Sequence, residues 1–121
     1  SVPDNTVLPL RKDYFVRVAG DRGLVIVSWT TGAPSPGEKG SRTAIAVNLG
    51  LSIRKHAPHL EQQFVFVSMD DEAHEVMNEH GFNSVLCKPV ECRSHDLKDD
   101  IWKMRWYLMR TLTAFGLSAL V

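Results

Sequence analysis

Cys87 and Cys92, separated by four residues and accompanied by His74, His80 and His95, are the first side chains in this sequence whose types and spacing could do chemistry. Thiolates and imidazoles are what a zinc site draws on, but zinc knuckles hold their cysteines two residues apart, and this pair is not so spaced. A disulfide across the short loop is allowed by the spacing without being demanded, so the redox compartment stays open. The second candidate is the loop Gly32-Ala33-Pro34-Ser35-Pro36-Gly37-Glu38-Lys39-Gly40-Ser41, between an apolar run and a helical pattern. A phosphate-binding loop in that position needs Lys directly after its second Gly and Ser or Thr next. Here Glu38 follows Gly37, and Gly40 parts Lys39 from Ser41. Pro34 and Pro36 also lack the amide protons that such a loop aims at phosphate, so the segment reads as a surface loop.

The elements that must position any site are read from periodicity. Residues 1–22 carry Pro3, Pro9 and mixed charge, and read as an irregular lead-in with a short helix around Leu10 to Val18. Leu24 to Trp29 is a continuous apolar run of the kind that is buried on both faces of a parallel sheet. Arg42 to His56 follows a helical period through Ile45, Leu49 and Ile53, with Ser41 as N-cap and Pro58 as the stop. Phe64 to Met69 is a second strand, feeding a helix that opens on Asp70, Asp71 and Glu72, turns Ala73, Val76, Met77 and His80 to one face, and ends at Gly81. Ser84 to Cys87 is a short third strand. Ile101, Met104, Arg105, Leu108, Leu112 and Phe115 then mark a helix with Asp99 and Asp100 in front and Gly116 behind, and Ser118 to Val121 begins a fourth strand.

Strands alternating with helices predict an α/β fold of the Rossmann-like kind, a mostly parallel sheet in which ligands bind beyond the carboxyl ends of the strands where the winding reverses. With the first strand central, that crevice lies between its end and the strand beginning at Ser118. The totals name no partner. The 121 residues hold 14 Lys plus Arg against 14 Asp plus Glu, so no net field draws the chain to nucleic acid. No stretch reaches the roughly 18 consecutive apolar residues of a membrane helix.

Two family resemblances attach to these segments. Leu86-Cys87-Lys88-Pro89, with Ser68 at the end of the second strand, resembles the Lys-Pro turn and hydroxyl of phosphorylation receiver domains. A receiver also needs an acceptor Asp where this chain has Ser28, and an acidic pair on an earlier strand. Neither is there, which leaves a degenerate, non-catalytic receiver-like signalling or interaction module as the alternative. The broader resemblance starts from Asp100-Ile101-Trp102-Lys103-Met104-Arg105-Trp106-Tyr107-Leu108, then Leu112, Phe115-Gly116-Leu117 and Ser118 to Val121. This is similar to the segment before the metal motif in the nucleotide-diphospho-sugar transferase family of plants and algae. There a basic helix ends in Leu-x-x-Gly, and a strand leads into Asp-x-Asp. The strand Leu24 to Ser28, the helix with Asn48, and Phe64 to Asp71 running into Glu72-Ala73 also fit, so the resemblance spans about residues 23–121.

The resemblance implies a truncated, GT-A-like domain with residues 23–121 as its nucleotide-binding half. Its parent enzyme would be a glycosyltransferase that moves a sugar from a nucleoside diphosphate donor to a glycan or glycoprotein acceptor in the Golgi lumen. A divalent metal, Mn or Mg, would bridge the donor pyrophosphate and an Asp-x-Asp beyond Val121, and would neutralise the leaving diphosphate. The fragment alone is expected to be inactive. Ser28, Trp29 and Thr30 would line the base and ribose pocket, with Trp29 either stacking on a base or serving as a core aromatic. Asp70 would accept a hydrogen bond from base or ribose, or cap its helix. Arg105, on the apolar face of its helix, would reach a carboxylate or a donor phosphate. Lys103 is expected to face solvent, and Asn48 to be a structural hydrogen-bonder.

Overall fold

The computed structural model of the chain describes residues 11–32, 42–87 and 97–120, and all their side chains except those of residues 42, 97–104 and 107. Helix α1 (Lys12–Ala19) and one turn of 3-10 helix (Gly20–Arg22) lead into β1 (Leu24–Thr30). There follow α2 (Arg42–His56), the single turn α3 (Pro58–Glu61), β2 (Phe64–Ser68), α4 (Asp71–Glu79), β3 (Asn83–Leu86), α5 (Leu97–Ala114) and β4 (Ser118–Leu120). All four strands pair in parallel, in the order β3-β2-β1-β4. β1 is therefore central, as the apolar run predicts for a strand covered on both faces. Among the described residues no helix is long and apolar enough to cross a membrane.

Alternation along the strands sorts two cores. Val25, Val27, Val65, Val67 and Val85 point to one face, where Tyr14, Phe15, Val18 and Ala19 of α1 meet Leu108 and Leu112 of α5. On the other face Phe66 packs with Ala46 of α2, Met77 of α4 and Phe82. The segment read as a lead-in thus supplies four side chains to the core once it turns helical at Lys12. Pro58, expected to stop α2, also starts α3 at a first-turn position, where its missing N–H costs nothing. Gly81 (φ 76°) and Gly116 (φ 83°) adopt the left-handed backbone expected after α4 and α5.

The inward face of α2 differs from the one its periodicity suggests. Ile45 is 69% exposed and Leu49 is also exposed, while Thr43, Ala46 and Gly50 are buried. The reason is the ring of Phe82, which occupies the space over Gly50 so closely that an added Cβ there would stand 2.5 Å from its Cζ. Small residues face in because the aromatic between α4 and β3 has already filled the layer. Arg54 fastens the arrangement, lying 4.6 Å over the Phe82 ring, donating to the His80 carbonyl at 2.9 Å and pairing with Glu61. His80, read as part of the inward face of α4, is exposed and stacks on Phe82.

Candidate functional site

The winding reverses between β1 and β4: the chain runs outward from β1 to β3, then returns through α5 to the other side of β1. A receiver-like module would instead finish on the helix after its Lys-Pro turn; Lys88 and Pro89 themselves lie outside the described residues. β4 pairs with only Leu24, Val25 and Ile26, so among the described residues Val27 to Thr30 have a neighbour on the β2 side alone. The carboxyl end of β1 carries Ser28, Trp29 and Thr30, in the place where open α/β sheets receive ligands. Ser28 is half-buried. Trp29 packs against the core between the sheet and helices α1 and α5, and so is a core-anchored aromatic. Thr30 points to the opposite face and is 4% exposed. The indole Nε1 of Trp29 and the hydroxyl of Thr30 are both buried, and neither has a hydrogen-bond partner among the described residues. A buried polar atom left unpaired costs about 1–3 kcal/mol, and these two lie on opposite faces of the strand.

Asp70 stands at the end of β2, beside this strand end. Its Oδ1 accepts from the Ala73 amide at 2.8 Å, capping α4, and its Oδ2 accepts from the Thr31 hydroxyl at 2.6 Å and the Gly32 amide at 2.8 Å. The cap expected from sequence is thus present, with a cross-link between loops that local spacing does not reveal. Burial by itself would raise the Asp70 carboxyl, but the donations from Thr31, Ala73 and Gly32 outweigh it and hold its pKa below the ordinary 3.8. Arg105 is half-buried and engaged by a partner, in keeping with a charge that cannot be left alone on an apolar face. Asn48 is exposed, and the Lys103 side chain lies outside the described residues.

A second polar set lies under α4. The buried hydroxyls of Ser68 and Ser84 are 2.7 Å apart, Ser84 meets His74 Nδ1 at 2.8 Å, and Asn78 Nδ2 lies 3.2 Å from His74 Nε2. Because both serines are buried, no substrate reaches them, and the chain of hydroxyls serves to satisfy polar groups inside the layer. Burial lowers the His74 pKa from 6.5, with Asp71 pulling the other way. For both His74 and Asp70 the folded pKa lies below the unfolded one, so the unfolded chain takes up the proton first as pH falls, and stability drops. The urea midpoint is therefore expected to decline in two steps, below 6.5 as His74 is forced to charge and below 3.8 as Asp70 protonates. His74→Gln removes the first step and Asp70→Asn the second. A midpoint in His74→Gln that still falls with the wild-type slope between about pH 7 and about pH 5 would exclude His74 as the cause.

Among the described residues, no three His, Cys, Asp or Glu side chains converge where a metal ion would sit. Cys87 is buried and disulfide-bonded, which takes its sulfur out of metal chemistry; Cys92 and His95 lie outside the described residues. A shallow dimple between Gly50, Ile53, Phe64, Phe82 and Asn83 opens at the amino ends of β2 and β3, away from the crevice. Compared with protein-family models, with curated proteins and with solved structures, the chain matches none.

Proposed function

We propose that the chain is the nucleotide-binding half of a GT-A-like domain, from a glycosyltransferase that uses a nucleoside diphosphate sugar and a divalent metal to glycosylate a glycan or glycoprotein. The observation that supports this reading is the reversal of winding at the central parallel strand: its carboxyl end, with Ser28, Trp29 and Thr30, lies where the chain returns through α5 to β4 on the other side of β1. A nucleoside would lie across that strand end, in a position where doubly wound sheets bind nucleotides. The basic helix and the strand that follows it, the segments that resemble the transferase family, are the α5 and β4 that form the second wall. Asp70, with its oxygens engaged by three donors, does not fit as a metal ligand. The reading therefore places the metal carboxylates beyond Val121, and no step is drawn through the metal. The Cys87 disulfide suits an oxidising compartment such as the Golgi lumen.

Titrating the chain with uridine and guanosine diphosphates, followed by tryptophan fluorescence, tests the reading. One of the two is expected to bind with a micromolar-range affinity, and Trp29→Phe, which removes the indole at the strand end, to abolish most of the signal change. Sugar transfer by this chain alone is expected to be absent. Binding of neither nucleotide, or robust transfer without further sequence, would overturn the assignment.

A further inference from the structure

We propose that Asp70 is a positioning residue for the donor crevice, a latch that fixes the end of β1 without touching the nucleotide; the proposal rests on the reading given above. The carboxylate ties two loops at once. One oxygen holds the first turn of α4 through Ala73, and the other holds Thr31 and Gly32, the residues that directly follow Trp29 and Thr30. Only a carboxylate can do this. An asparagine would present one acceptor oxygen and turn an NH2 group toward donors, whereas a serine would cap α4 and leave the other loop untied.

Gly32 approaches so closely that an added Cβ would stand 2.6 Å from Glu72 Oε2 and 3.2 Å from Asp70 Oδ1. On the strand side the Thr30 carbonyl already accepts from the Met69 amide at 2.9 Å, so the last residue of β1 is bound to β2. The latch extends that hold past the strand end, where ladder bonds stop. The strand end at Ser28 to Thr30 keeps one shape toward a ligand only if the chain leaving it is fixed, and the Asp70 carboxylate fixes it. With three donors already on its oxygens, Asp70 is poorly placed to recognise a base or ribose itself.

The test compares wild type, Asp70→Ser, Thr31→Val and the double variant. Asp70→Ser keeps a helix cap and breaks the tie between loops, and the urea midpoint checks that the fold is retained. Uridine and guanosine diphosphates are the probes, and the Gly32 amide proton is followed by NMR in the ligand-free chain. Each single variant is expected to bind the accepted nucleotide less tightly, about tenfold for Asp70→Ser, and the double variant no worse than Asp70→Ser alone. The Gly32 amide shift is expected to move as Asp70 protonates. A loss in Asp70→Ser with none in Thr31→Val would mean direct contact with the nucleotide and overturn the latch. So would unchanged binding in all variants or a Gly32 shift indifferent to acid, and in those cases the crevice reading still stands on the reversal of winding at β1. Failure of wild type to bind either probe overturns both readings together.

Discussion

Phe66→Ala is expected to lower the stability of the fold by about 4 kcal/mol, the range found when a fully enclosed aromatic is cut back to a methyl. Phe66 is 1% exposed and is the hub of the layer under α2 and α4. Its ring lies 5.0 Å from that of Phe64 and 5.6 Å from that of Phe82. Its neighbours cannot collapse into the space, since Phe64 is held in β2 and Phe82 is braced by Arg54 and His80. Domains of this size are stable by only about 5–15 kcal/mol, so the loss removes a large share of the total. Urea denaturation followed by far-UV circular dichroism gives the number, and a loss under about 1 kcal/mol would show that the layer is loosely packed.

Gly50→Val is expected to cost about 3 kcal/mol, by overfilling rather than emptying the same layer. The added carbon would meet the Phe82 ring at 2.5–2.8 Å, and that ring lies between Phe66, His80 and the Arg54 guanidinium. It has nowhere to go unless α2 lifts off the sheet. Gly32→Ala makes a fair comparison because its Cβ would also be crowded, at 2.6 Å. There the crowding atom is the tip of the exposed Glu72 side chain, which can swing into water, so a change of under about 1 kcal/mol is expected. Equal losses in the two variants would mean that the Phe82 ring moves as freely as the Glu72 carboxylate.

These contrasts mark where the sequence is legible. β1 and β2 are plain because strands covered on both faces must be apolar throughout, and Val25 to Val27 and Phe64 to Val67 leave no other reading. α2 is visible as a helix, yet its inward face is not, because apolar residues lie nearly all round it. Ile45 and Leu49 have the right period and lie outward, while Gly50 faces in for the sake of Phe82, which is far along the chain. Asp70 is legible as a helix cap from its immediate neighbours. Its bonds to Thr31 and Gly32 depend on β1 and β2 lying side by side, which no local pattern encodes. Trp29 and Thr30 are nameable from their place after the first strand, but that their polar atoms are enclosed and unpaired emerges only from packing. Ser68 and Ser84 did carry a signal, since hydroxyls inside buried strands must find partners, and His74 is the partner.

The pairing of β1 with β4 joins an inner strand to a segment about three-quarters of the chain later, Leu24 standing beside Ser118. Such a long closure sacrifices chain entropy before contacts return it, so β4 is expected to join after the β1–β2–β3 unit in folding. β1, β2 and β3 are linked by shorter crossovers through α2 and α4. On the proposed reading, a nucleotide bridging β1 and β4 is therefore expected to slow the amide exchange of β4 far more than that of β2.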